Sequence, residues 1–153
     1  FGERLGCKIL VESIYAEIER HAREDRLDAL PAFFEKRFLQ ADGSIDGILC
    51  WDLLDYLGRP AAQALAHQLM RVLSPDGALF ALFGATVPSA SPRYTKFVIV
   101  DESNLLYQPY EAVRAPKSSL PNRDILRLFG GLQVADSFLL QNNVREILFR
   151  KSQ

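Results

Sequence analysis

Long apolar runs are missing from this 153-residue sequence. No stretch of about eighteen consecutive apolar residues occurs, so no segment reads as a membrane-spanning helix. Cysteine and histidine are scarce, at two residues each. Cys7 and Cys50 are too few for a disulfide framework, and neither they nor His21 and His67 show the ligand spacing of a metal site. Both cysteines lie in apolar, strand-like runs and read as buried, reduced thiols of a cytoplasmic protein. An excess of one charge is lacking too: 18 Lys and Arg against 19 Asp and Glu give a formal net charge of -1. Nucleic-acid binders usually carry a basic stripe. Here the cations are scattered, with modest density at Arg114, Lys117, Arg123 and Arg127, which points away from nucleic acid as a primary partner. No basic leader followed by an apolar core is written in these residues. The first residue is Phe1 rather than methionine, and FGERLG reads as a helix end with glycine stops.

What is present is alternation. CKILVES, over Cys7–Ser13, is a short β-branched apolar run ending in a carboxylate, which suits a buried parallel strand. A helical texture follows from Ile14 to His21. PAFFEKRFL is an aromatic cluster compatible with a short helix or a strand. ADGSID is a turn, GILCW a strand, and LLDYLGRP a short helix stopping at Gly58 and Pro60. AAQALAHQLMRVL is the clearest helix, with Leu65, Leu69, Val72 and Leu73 on one face. SPDG turns the chain into the apolar strand ALFALFG. TVPSASPRY reads as a Pro/Ser-rich loop, and KFVIVDESNLLYQPYE as a hairpin at about 95–110. Asn122 suits the N-cap of the helix RDILRLFG. LQVADSFLLQ and VREILFRK, joined by a tight turn, close the chain as an antiparallel pair. This order predicts a single α/β domain over 1–153, a three-layer sandwich with a mostly parallel sheet and an antiparallel C-terminal strand pair.

The ordered set GSIDGILCWDLLDYLGRPAAQALAHQLMRVLSPDGALFAL resembles the centre of a class I, Rossmann-like S-adenosylmethionine-dependent methyltransferase. Gly43, Ser44, Ile45 and Asp46 match the turn that opens the family's fourth strand. Leu73, Pro75 and Gly77 match the turn before its fifth. The resemblance covers roughly Cys7 to Lys151, and it is specific as an ordered set and weak in any single motif.

It implies S-adenosylmethionine as cofactor, lying across the carboxyl ends of the first, second and fourth strands. Glu12 then takes the place of the carboxylate that accepts the ribose hydroxyls. Cys50, Trp51 and Asp52 fall where the family lines the methionine end of the cofactor and the entrance for the acceptor. Trp51 either packs its ring on the sulfonium or is a large residue at the rim of the sheet. Asp52 either orients an amine or hydroxyl or caps the short helix that follows. Asp46 reads as fixing the turn. Phe33 or Phe34 is a candidate adenine wall. Tyr56 and Tyr107, with Tyr94 and Tyr110, are candidate acceptor-facing groups.

One part of the family pattern is missing. No acidic-x-Gly-x-Gly-x-Gly loop occurs anywhere in the sequence. Gly2 and Gly6 stand where the helix behind such a loop would end. The expectation is a domain that lacks its first β-α unit because the sequence starts partway through it; the competing reading is a degenerate relative that binds no cofactor. Either way, open apolar strand edges invite self-association, and the chain by itself is expected to bind cofactor poorly. The acceptor is expected to be a small molecule or a protein side chain, since CWDLL replaces the Asn-Pro-Pro-aromatic tetrad of amino-methylating nucleic-acid enzymes. The alternative function is a non-catalytic binding or scaffold module of the same fold. A short-chain oxidoreductase would show Tyr-x-x-x-Lys, which is absent.

Overall fold

The computed structural model describes residues 5–84, 93–111 and 120–153. Most of the expected loop TVPSASPRY, its residues 86–92, and the irregular stretch 112–119 lie outside the described residues. In chain order the elements are α1 (Ile14–Arg23), α2 (Leu30–Arg37), β1 (Ile45–Trp51), α3 (Arg59–Val72) and β2 (Leu73–Gly84). These are followed by β3 (Arg93–Ile99), β4 (Leu105–Glu111), α4 (Asn122–Leu128), β5 (Gln133–Leu139) and β6 (Val144–Arg150). No helix among the described residues is long and apolar enough to cross a membrane.

Among the described residues the main sheet has four strands, in the order β1-β2-β6-β5. Only β1 and β2 are parallel; β2–β6 and β5–β6 are antiparallel. The sheet is therefore mixed where a mostly parallel one was expected. A parallel pair needs a crossover connection, and α3 supplies one between β1 and β2. The tight turn before Val144, closed by Leu140 and Asn143, forces β5 and β6 to run antiparallel. Strands β3 and β4 form a separate two-stranded hairpin.

Cys7–Ser13 is not a strand. It has no ladder partner among the described residues, Cys7 is exposed, and Val11 is 84% exposed. The composition favours a strand, but a strand needs an edge to pair with. The outer edge of β1 pairs with no described strand. Two boundaries also move. Asn122 is the first residue of α4, with Pro121 in the cap position, and Pro60 lies in the first turn of α3 instead of ending the preceding helix. PAFFEKRFL resolves as helix, in α2.

The core lies on one face of the sheet. Leu79, Ala81 and Phe83 of β2, Ile147 and Phe149 of β6 and Cys50 of β1 join one buried cluster with Ile14, Ile18, Phe34, Leu65 and Ile125 from the helices. The alternate residues of these strands face the other way, as period-2 geometry requires. There Leu49 is 49% and Phe138 57% exposed. Among the described residues the result is two layers, helices on sheet, where three were expected. The opposite face is met at one end by the β3–β4 hairpin, through Phe97 stacked on Trp51.

Two cationic side chains set the register at the other end. Arg71, near the end of α3, donates to the carbonyls of Phe38 and Gln40, to Asp42 Oδ1 and to Gln68 Oε1, all at 2.6–2.9 Å. Lys151 Nζ donates to the carbonyls of Met70 and Leu73 at 2.8 and 2.7 Å, satisfying groups at the end of α3. The expected SPDG turn is a bulge inside β2: pairing with β1 jumps from Ile45–Leu73 to Gly47–Ala78. Asp46 accepts from Ser74 Oγ at 3.0 Å and ties β1 to that bulge.

Gly77 makes the bulge possible. A Cβ there would meet the Ser74 carbonyl at 2.7 Å and Leu73 Cδ1 at 2.9 Å. Gly77→Ala is expected to cost about 1–3 kcal/mol of stability. Gly47→Ala, with nothing within 4 Å of the added carbon, is expected to stay within about 0.5 kcal/mol of the parent. Urea unfolding of the two variants checks this; equal losses contradict the bulge account.

Candidate functional site

The carboxyl ends of β1 and β2 gather two buried carboxylates, Asp52 and Asp55. Trp51 ends β1 with φ +52°, a left-handed conformation that is uncommon for a bulky residue. The adjoining pairing shifts register between Leu49 and Trp51. This kink places the indole on Phe97 of the hairpin, with ring centroids 4.9 Å apart and planes 10° from parallel. The indole also meets Phe80 edge-on at 6.1 Å.

Asp52 is only 3% exposed. Tyr15 donates its hydroxyl to Asp52 Oδ1 at 2.5 Å, and Tyr56 to Oδ2 at 3.3 Å. Asp52 stands at the cap position of the 3-10 turn Leu53–Tyr56, but its side chain makes no capping bond. The capping role weighed for it is therefore replaced by acceptance from two phenols. Asp55, fully buried one turn later, accepts the Gly84 backbone N–H at 2.7 Å and holds the end of β2.

The four aromatic rings of Tyr15, Tyr56, Tyr94 and Tyr110 continue from Asp52 to the surface, with successive centroids 4.8–5.6 Å apart. Burial first, and the Asp52 carboxylate second, push the Tyr15 and Tyr56 phenols well above their usual range. Burial and then Glu19 do the same for Tyr94. Cys50 is pushed up to about 12 by burial, then by Asp52 and Asp55.

These groups keep their protons in the folded protein at a pH where the unfolded chain releases them. A raised folded-state value gives stability that is complete below the unfolded value and lost as pH rises. Stability is therefore expected to fall above about pH 9, as the unfolded Cys50 thiol ionises, and more steeply above about pH 10. Tyr15 alone contributes up to about 1.4 kcal/mol per pH unit in that range. Denaturant unfolding between pH 8 and 11 checks this, and Tyr15→Phe is expected to flatten the slope.

A cavity of roughly 210 Å³ opens beside this cluster. Asp52, Leu82 and Gly84 line it from the sheet, Thr95, Phe97 and Tyr107 from the hairpin, and Asn142 and Val144 from the β5–β6 turn. Burial, then Glu146 and Asp52, raise the Tyr107 phenol. Among the described residues no three His, Cys, Asp or Glu side chains converge as a metal site would require.

The residues expected from sequence are brought together only in part. Asp52 and Tyr107 share the cavity. Tyr56, expected to face an acceptor, is 6% exposed and donates to Asp52 from within the core. Cys50 packs in the helix-side core, away from the cavity lining. Phe34 is fully buried in the same core, so it is no open wall. Glu12 is not at a strand end: Arg37 Nη2 pairs with its Oε2 at 2.6 Å, and Gln40 Nε2 donates to its Oε1 at 3.3 Å. Tyr94, though buried, and Tyr110 both line a second cavity, with Glu19 and Arg23.

Tyr15, Asp55, Thr95, Phe97 and Asn142 were not anticipated. The spacing of Asp52 and Asp55 in DLLD, two carboxylates on one turn, was the available signal for Asp55. Tyr15 meets a partner 37 residues away, for which local sequence carries no mark.

No family model matches this sequence, and no curated protein does. Solved structures do. The fold is one also seen in a methyltransferase. A SAM-dependent methyltransferase of Methanosarcina mazei superposes with a TM-score of 0.50 at 10% identity, over 75% of this chain and 63% of that one. The PH0226 protein of Pyrococcus horikoshii gives 0.50 at 11% identity, over 78% of this chain and 57% of that one. A protein of Bordetella parapertussis described as a possible exported protein gives 0.51 at 13% identity, over 78% and 42%. The likeness is one of fold, and the chain spans 42–63% of the length of these structures.

Proposed function

We propose that this chain belongs to an S-adenosylmethionine-dependent methyl-transfer domain and acts on a small-molecule or protein acceptor. The observation that carries the reading is the junction itself. A left-handed Trp51 and a buried Asp52 stand at the carboxyl end of the parallel strand β1, which is where open α/β sheets bind their ligands. The fold likeness to the Methanosarcina enzyme supports it.

The residues fit the cofactor unevenly. At the methionine end, Asp52 is held by two phenols and is a fixed acceptor for an ammonium group. At the ribose end, the proposed carboxylate, Glu12, is engaged by Arg37 and Gln40, and taking two hydroxyls would mean exchanging those partners. Bound S-adenosylmethionine would supply a methyl group already activated by the sulfonium. What remains for the protein is alignment and exclusion of water. Tyr15 and Tyr56 fix the Asp52 carboxylate, Phe97 and Trp51 close the aromatic side, and Thr95, Tyr107 and Asn142 offer polar groups to an acceptor. No general base is assigned.

The scaffold reading is favoured by one observation, the engagement of Glu12 by Arg37 and Gln40. Ultraviolet crosslinking of methyl-labelled S-adenosylmethionine at millimolar concentration separates the two. Methyl transfer predicts label in the tryptic peptide 38–71, which carries Trp51 and Asp52, and loss of label with excess S-adenosylhomocysteine. Uniform labelling that excess S-adenosylhomocysteine leaves unchanged supports the scaffold.

A further inference from the structure

We propose that two copies of this chain pair through the outer edge of β5, antiparallel about a two-fold axis at Phe138, so that their sheets join into one. Every residue of β5 is exposed, and its outer edge meets no described strand. This edge lies on the side of the sheet opposite β1. A row of unpaired N–H and C=O groups is a template for another strand, and natural edges are blunted with Lys, Pro, charges or bulges. Gln133–Leu139 and the Leu140 that follows carry neither Lys nor Pro, and Asp136 is their one charge. A bulge between Val134 and Asp136 interrupts the edge, which leaves residues 136–140 to pair.

The backbone decides which groups are free. The Leu140 N–H donates to the Val144 carbonyl at 2.8 Å, so that pair is bonded across β5 and β6. Bonded and unbonded pairs alternate in an antiparallel ladder. Phe138 with Glu146 and Asp136 with Leu148 are then the next bonded pairs, while Ser137 and Leu139 turn their N–H and C=O groups outward. Ser137 agrees with this phase, since its N–H donates to Asp136 Oδ1 at 2.9 Å.

The register follows from that phase. Setting Ser137 against Leu139 of the second copy bonds all the outward groups of both residues, twice over by symmetry. Phe138 then meets its own mate on the open face as an unbonded pair, with Cα atoms about 4.5 Å apart. Centring the axis on Ser137 would set Leu139 against the bulge, and centring it on Leu139 would run Ser137 into the β5–β6 turn. Centring it on Asp136 would set like charges directly opposite, which is unfavourable. In the Phe138 register Asp136 faces Leu140, and the two carboxylates stay apart. The Asp136 carboxylate still competes for the Ser137 N–H and so restrains the pairing.

The experiment is sedimentation equilibrium of the 153-residue protein without cofactor, from about 1 µM to about 1 mM. A reversible monomer–dimer equilibrium is expected. Asp136→Ala frees the Ser137 donor and is expected to tighten the dimer about tenfold. Ser137→Pro removes a donor that β6 does not use; it is expected to leave a monomer with an unchanged circular dichroism spectrum. Phe138→Lys and Phe138→Glu each set like charges across the axis and are expected to be monomeric alone, and to dimerise when mixed. A parent chain and an Asp136→Ala variant that both stay monomeric overturn the proposal. So does a dimer that survives Ser137→Pro and both Phe138 variants. Dimers lost in both Phe138 variants and not regained on mixing contradict the register. The pairing uses no residue of the Trp51–Asp52 junction and needs no cofactor, so it and the methyl-transfer reading fail separately.

Discussion

Asp52→Ala is expected to lower the unfolding free energy by about 3 kcal/mol, most of it through groups other than the aspartate. Two phenol hydroxyls, from Tyr15 and Tyr56, lose their acceptor in a buried setting. Each stranded donor costs on the order of 1–3 kcal/mol. Removing a desolvated charge offsets part of that loss. The pairing is tested by a double-mutant cycle with Tyr15→Phe, read by urea unfolding at pH 7. The expected coupling is about 1–2 kcal/mol, because after one substitution the other has less to remove. Coupling near zero contradicts the Tyr15–Asp52 contact and the site built on it.

Phe34→Ala is expected to have the largest effect on stability, about 3–5 kcal/mol. The ring is fully buried in the cluster shared by α2 and α3, and a cavity of that size cannot close without moving both helices. Its neighbour Phe33 is only partly buried, against His21 and Phe34, and Phe33→Ala is expected to cost less than half as much. A loss of about 3–5 kcal/mol lowers the melting temperature by roughly 6–20 °C for a chain of this size. Equal losses at the two positions contradict the placement of α2, and a Phe34 variant of parental stability removes it from the core.

Much of the fold is legible in the sequence where one element can be judged alone. The apolar stripe of α3 and the run GILCW needed only their own periodicity, and both formed. Elements whose state depends on a partner were less legible. CKILVES has the composition of a strand, yet among the described residues it joins no ladder, and composition alone does not supply a partner. SPDG has the residues of a turn, but the pairing on either side absorbs it as a bulge in β2.

The site divides the same way. The place of Trp51 and Asp52 at a strand-to-helix junction was readable, because a β-rich run ends there and a polar residue follows. Their partners were not. Tyr15 reaches Asp52 from α1, and Phe97 reaches Trp51 from the hairpin; neither approach is encoded locally. Glu12 shows the converse. Its expected role came from a strand that did not form, and the carboxylate pairs with Arg37 instead.

The junction account is tested most directly by calorimetric titration of S-adenosylmethionine into the 153-residue protein. Saturable binding is predicted, competed by S-adenosylhomocysteine and weaker than about 100 µM, or about −5.5 kcal/mol, because the methionine-end residues are in place while Glu12 is engaged elsewhere. Low-micromolar affinity would overturn the expectation of weak binding. Absence of saturable binding up to millimolar cofactor contradicts the central claim, that the end of β1 is a cofactor site.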